Sequence, residues 1–293
     1  MERAQPRDGG GWIGARLESA EFRRLAAFIE AHCGIRMPAS KRVMLESRLR
    51  RRLRSLGLVS FREYCDLALH DRAGIDERIH LVDAVTTNKT DFFREPQHFE
   101  VLVREVLPTL MRTSGAGVRC PLAVWSAGCS TGEEPYTLAM VLREVACGLP
   151  GFRFGILATD ISTSVLTAAR RAVYPERLIQ PIPPGLRRKY LLKSRDGSRS
   201  LVRMGPELRQ VVQFRRLNFM DTEFGLREPQ DVIFCRNVMI YFDRATQERL
   251  LLRFCRHLAP GGYVFLGHSE SINGLRLPLR QVAPTVYRHA GAA

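Results

Sequence analysis

The sequence predicts an α/β protein in which an all-helical module precedes an open, doubly wound sheet of mostly parallel strands. Three observations predict it. From about residue 17 to 87 the apolar residues recur at helical spacing, with no alternating stretch. Later, short apolar runs alternate with helical segments. The first of these runs ends in a glycine turn that opens a helix, GCSTGEEPY.

The module reads as four helical segments, EFRRLAAFIEAHCGI, KRVMLESRLRRRLRSLG, SFREYCDLALH and IDERIHLVDAVTT. In the second, Leu45, Leu49, Leu53 and Leu56 recur at steps of three and four, which puts one apolar stripe against a small bundle, and Gly57 is placed to cap the end. The other faces carry Lys41, Arg42, Arg48, Arg50, Arg51, Arg52 and Arg54 against the single acid Glu46, a cationic ridge that reads either as a solvated face or as a docking surface for an acidic partner. Ser60 with Glu63 fits a capping box at the start of the third helix.

After Pro96, FEVLVREVLPTLMR reads as one amphipathic helix. The runs LAVWSA, FGILATD, VVQFRRLNF, DVIFCRNVMIYF and GYVFLGH read as strands, separated by the helices YTLAMVLREVA, SVLTAARRAVY and ATQERLLLRFCRHL. Right-handed crossovers stack such units into an open sheet, with the ligand across the carboxyl ends of the strands near the switch in strand order. The residues to inspect are therefore Gly128 to Glu134, Asp160, Asn218 and Arg236 to Tyr241.

Composition narrows the classes. The chain has 293 residues, 45% of them hydrophobic, enough for one large domain and a smaller one. Seven cysteines are scattered without a CxxC, and the seven histidines show no ligand spacing, so neither a disulfide framework nor a metal site is expected and a reducing cytoplasm is. MERAQPRDGGGW lacks the apolar core of a signal peptide and no run is long enough to span a bilayer, so membrane insertion is not expected. The net charge of +15 names the sign of a partner, not its kind.

The glycine turn matches neither GxGxxG nor a phosphate loop, which needs Lys and then Ser or Thr after its last glycine. Its glycines allow a ligand close to the backbone, while Glu133 and Glu134 put negative charge where an anion would bind. A cationic ligand without phosphate fits, and S-adenosylmethionine is one. Asp160, ending the next strand, would accept from ribose hydroxyls. Thr131 to Glu134 also fits a capping box in which Glu134 only satisfies a backbone donor, and Asp160 an ordinary strand-to-helix turn. Both readings stand.

NKTDFFREPQHF, WSAGCSTGEEPY, ATDIS, FCRNVMIYFD, LAPGGYVFLGHSES and APTVY, in this order over nearly the whole chain, resemble the CheR family. The resemblance implies a Rossmann-like class I S-adenosylmethionine methyltransferase sheet at 88–290, a basic receptor-docking helical domain at 16–87, and a small antiparallel β-subdomain inserted at 174–216. It implies a cytoplasmic enzyme that esterifies glutamates of chemoreceptor cytoplasmic helical bundles and releases S-adenosylhomocysteine. Matched to the family's motifs, Asn88, Thr90, Arg94, Ala127, Glu134, Asp160, Asn218, Phe219, Arg236 and Asn237 would contact the cofactor, and Arg94, Tyr241 and Arg236 would act at the transferred methyl. Arg48, Arg50, Arg51, Arg52 and Arg54 would meet the receptor. Glu133 and Glu134 are adjacent, so which of them faces the cofactor stays open. In LLKSRDGSRSLVRM, Asp196-Gly197 between alternating runs signals a hairpin, which either docks a receptor tail peptide by strand addition or pads the domain.

A nucleic-acid methyltransferase shares the charge and the cofactor fold, but the fourth run ends in RNVMIY rather than the Asn/Asp-Pro-Pro-aromatic turn of base amino-group methylation. A non-catalytic binding module would not need Arg94, Asp160 and Tyr241 together. An oxidoreductase lacks its phosphate-binding glycines.

Overall fold

The computed structural model describes residues 15–70, 75–196 and 200–290. MERAQPRDGGGW and Gly197 of the expected hairpin turn lie outside the described residues. The chain divides into two compact units between Thr86 and Thr87.

The first unit holds the helices α1 (Ser19–Cys33), α2 (Arg42–Leu56), α3 (Phe61–Ala68) and α4 (Ile75–Val85). The leucine stripe explains the packing of α2: Leu45, Leu49 and Leu53 are fully buried beside Leu25, Ile29, Phe61, Tyr64 and Leu81, with Leu56 at the margin. Each buried leucine contributes roughly 1.5–3 kcal/mol. Gly57 ends α2 in the left-handed region, φ 69°, its N–H reaching the carbonyls of Arg54 and Leu53. At the start of α3 the Ser60 hydroxyl accepts from the N–H of Glu63, whose carboxylate reaches back to Val59 N rather than to the cap residue.

The second unit opens with α5 (Gln97–Val101) and α6 (Leu107–Thr113), joined by a π-helical turn at Leu102–Val106. One continuous helix was expected here. Pro108 in the first turn of α6 supplies no N–H and its ring crowds the carbonyl four residues back, so the helix widens there. The elements that follow are β1 (Leu122–Ala127), α7 (Glu133–Gly148), β2 (Phe154–Asp160), α8 (Thr163–Arg171), β3 (Val173–Pro175), α9 (Pro184–Tyr190), β4 (Leu191–Lys193), β5 (Leu201–Met204), α10 (Pro206–Arg209), β6 (Val212–Arg216), β7 (Gln230–Cys235), α11 (Arg244–His257), β8 (Leu258–Leu266), β9 (Leu279–Ala283) and β10 (Val286–His289).

The main sheet runs β6-β2-β1-β7-β8-β10-β9. Its first five strands are parallel, and β10 pairs antiparallel with β8 and β9. Successive strands run outward in one direction from β1 and in the other from β7, so the switch in order lies between these two and opens the crevice at their carboxyl ends. A separate antiparallel sheet, β3-β5-β4, lies in sequence between β2 and β6. Val212–Arg216, inside the expected insertion, is the edge strand of the main sheet and pairs in parallel with β2.

The run DVIFCRNVMIYF does not continue as strand past Cys235. Asn237 turns into the left-handed region, φ 61°, and Met239–Tyr241 forms a short 3-10 turn. Met239 and Phe242 keep the run apolar because they are buried, not because they pair. Among the described residues no helix is long and apolar enough to cross a membrane.

Candidate active site

The site forms where β1, β2 and β7 end. Beyond Ala127, Gly128 and Gly132 adopt φ 89° and 99°, which only glycine takes without strain. Their missing side chains leave room for neighbouring protein: a Cβ at Gly128 would stand 2.5 Å from Val238, and one at Gly132 would meet Tyr174 Oη at 2.9 Å. The N–H groups of Gly128 and Cys129 donate to Thr159 O, that of Ser130 to Asp160 and that of Gly132 to Cys129 O. Most of the turn's donors are therefore spent internally, which leaves no phosphate cradle.

Asp160 is buried at the end of β2, and its carboxylate accepts the backbone N–H groups of Ser130 at 2.9 Å and Ser162 at 2.9 Å. Those bonds fix its orientation. Asn218, also buried, accepts from Met220 N through Oδ1, and Phe219 meets Phe224 and Phe254 edge to face. Glu133 and Glu134 part company. Glu133 accepts from Thr131 Oγ1 at 2.6 Å, and its burial raises its pKa above the ordinary carboxylate range. Glu134 caps nothing: it accepts from Ser126 Oγ at 2.7 Å and from Arg236 Nε at 2.7 Å, facing the ends of β1 and β7.

Arg236, expected beside a substrate, is turned inward, with a side chain only 2% exposed. Its guanidinium donates to Glu134, to the Arg94 carbonyl at 2.7 Å and to His98 Nδ1 at 3.1 Å, and it lies over the rings of Phe99 and Phe234. A group so enclosed holds its neighbours in place. Arg94 is half-buried on a loop where Phe93 and Glu95 hold φ values of 53° and 55°. Four bonds fix that loop: Arg236 to Arg94 O, Phe93 N to Thr137 Oγ1, Ser130 Oγ to Asn88 O, and Arg94 Nη1 to Lys89 O. Thr90 is half-buried on the same loop, and Tyr241 is half-buried in the 3-10 turn after β7.

The sequence reading missed three residues. His98 accepts from Arg236 through Nδ1, so its proton lies on Nε2, which stands 2.8 Å from Thr285 Oγ1; burial lowers its pKa to about 4. Glu270, 5% exposed, takes the N–H groups of Asn237, Met239 and Gly267 at 2.9, 2.8 and 2.7 Å. It holds the turn that carries Asn237 and Tyr241, and burial raises its pKa against those donors. Glu95 is the third. The histidines taken as scattered do meet: Glu95, His98 and His268 bring ligand atoms within 4.8 Å of one another. The Arg236 guanidinium stands 3.1 Å from His98 Nδ1 and 3.5 Å from Glu95 Oε2, so a positive charge already fills that corner. GHSES and REPQH contain these residues, but only the fold reveals their partners.

The ridge on α2 is not uniform. Arg48 donates to the carbonyls of Ala84, Val85 and Thr86 and so closes the carboxyl end of α4. Arg52 makes a fork to Glu77, which is 5% exposed, an acid from α4 that the count along α2 alone omitted. Arg50 pairs with Glu46, and Arg50, Arg51 and Arg54 face solvent.

Residues 88–288 match the family described as CheR methyltransferase, SAM binding domain, and residues 20–86 match CheR methyltransferase, all-alpha domain. A chemotaxis protein methyltransferase of Borreliella burgdorferi is 39% identical over 277 residues, 94% of this chain and 96% of that one. One of Escherichia coli is 40% identical over 271 residues, covering 92% and 91%. Chemotaxis protein methyltransferase 2 of Pseudomonas aeruginosa is 40% identical over 270 residues, covering 92% and 93%.

Proposed function

The chain belongs to the CheR methyltransferase family, and on that premise we propose that it esterifies glutamate side chains of chemoreceptor cytoplasmic helical bundles, with S-adenosylmethionine as donor. When bound, the cofactor supplies an electrophilic methyl on a sulfonium. The residues present fit it: the crevice offers the carboxylates of Asp160 and Glu134 and an amide at Asn218, while the glycine turn has few donors left for a phosphate. In this reading Asp160 accepts from the ribose hydroxyls, Asn218 and Phe219 border the nucleoside, and Asn88, Thr90, Ala127, Glu134 and Asn237 line the remainder.

A glutamate with a reference pKa of about 4.3 is already an anion near neutral pH, so no general base is required. What the protein supplies is aim. Arg94 holds one oxygen of the substrate carboxylate and leaves the other to attack in line; a grip on both would damp the nucleophile. The observation that carries this role is the loop itself, whose backbone is fixed by Arg236 and Thr137 while, among the described residues, one guanidinium donor of Arg94 is tied, to Lys89 O. Tyr241 lines the path of the methyl. Arg236 is the positioning residue behind Arg94 and Glu134. The solvent-facing Arg50, Arg51 and Arg54 steer an acidic receptor bundle toward the first unit.

Labelled cofactor incubated with receptor cytoplasmic fragments tests the reading. Base-labile methyl ester on glutamate is expected; label in RNA, or none in protein, overturns it. Arg94→Lys should slow turnover about tenfold or more, roughly 1.4 kcal/mol of barrier, with cofactor affinity nearly unchanged. Unchanged turnover removes Arg94 from this role.

A further inference from the structure

A cleft at the other end of the main sheet is independent of this reading. It lies between the end of α6 and the strands β8 to β10, encloses about 490 Å³ and is lined by Thr113, Ser114, Pro260, Arg280, Arg288 and His289. Pro260 stands near the start of β8 and His289 at the end of the antiparallel β10, so the cleft opens at the amino ends of the parallel strands, away from the crevice of β1 and β7.

Arg280 and Arg288 are direct cross-strand partners on β9 and β10 and so project from the same face. Like charges directly opposite destabilise a sheet, and among the described residues no carboxylate pairs with either arginine. The Arg288 guanidinium is already oriented, donating to Gly261 O at 3.3 Å and lying over the Tyr263 ring at 5.8 Å. Two guanidiniums therefore flank one cleft whose lining holds no acid.

We propose that this cleft binds a phosphate-bearing small molecule, with Arg280 and Arg288 straddling the phosphate. Cross-strand side chains start about 5 Å apart, a gap that one tetrahedral dianion bridges, and the volume admits a nucleotide-sized ligand. The two cations then stop opposing each other and share one counter-charge.

The test is calorimetric titration of the full chain with ADP while S-adenosylhomocysteine saturates the cofactor crevice, with inorganic phosphate and adenosine as comparison probes. Saturable binding of ADP or phosphate but not adenosine is expected, weakened about tenfold or more by Arg280→Glu and by Arg288→Glu. No saturable binding of either phosphate probe, or equal binding by both variants, overturns the proposal. Thermal melts give a second readout. Arg280→Ala should raise the melting temperature without ligand and abolish the rise that phosphate produces. A lower melting temperature, with phosphate still acting, would show an arginine that merely balances the carboxyl end of α6, and would equally overturn it.

Discussion

The arginines of α2 and the two arginines of the candidate site divide in the same way, yet only one division follows a local rule. On α2, Arg48 and Arg52 flank the leucine stripe and are spent inside the unit, while Arg50, Arg51 and Arg54 lie on the opposite face toward solvent. A helical wheel drawn on Leu45, Leu49 and Leu53 anticipates this split. At the site, Arg236 is enclosed and Arg94 is presented, although both were expected at the methyl. They stand 142 residues apart in the chain, and no period relates them. Enclosed and exposed arginines thus occur in both regions, but one helix sets the first division and the order of a sheet the second.

The largest consequence concerns Arg236. Arg236→Ala leaves Glu134 buried without its partner and frees the Arg94 carbonyl, so a loss of about 3–5 kcal/mol in chemical denaturation is expected, with activity lost as well. A variant of native stability would mean that Arg236 is no strut.

Next comes His98, which rests against that guanidinium. Its folded pKa of about 4 lies below the reference value near 6.5. The unfolded chain therefore binds a proton that the folded chain refuses, and stability falls as pH drops from about 6.5 to 4, by on the order of 3 kcal/mol. Denaturation midpoints across that window should slope less in His98→Gln. Parallel slopes would place the effect elsewhere.

The smallest effects test the division on α2. Arg52→Ala strands Glu77 and should cost about 1–3 kcal/mol, whereas Arg51→Ala and Arg54→Ala should stay within about 0.5 kcal/mol. The order of receptor methylation rates should be reversed: charge reversal at Arg50, Arg51 and Arg54 slows methylation at low salt, and that penalty shrinks as salt screens the steering. Equal stability losses at positions 51, 52 and 54 would erase the distinction.

Much of the fold was legible because its signals are local. LAVWSA and FGILATD are β1 and β2 to the residue, since a buried parallel strand is a short apolar run. DVIFCRNVMIYF misled beyond Cys235, because an apolar residue buried from a turn reads the same as one buried from a strand. The π-helical turn before Pro108 was missed because a proline can either end a helix or be absorbed by widening it.

By itself the sequence determined which residues share a helix face, which runs make strands, and which acids stand where those strands stop, since periods of 3.6 and 2 and the turn that ends a run are properties of neighbouring residues. The tertiary structure alone decided that Glu134 rather than Glu133 faces Arg236, that Glu270 holds the turn after β7, and that Glu95, His98 and His268 meet. Those choices join residues up to 173 positions apart, as between Glu95 and His268, and they depend on strand order and on the cost of burying a charge unless a partner is within reach.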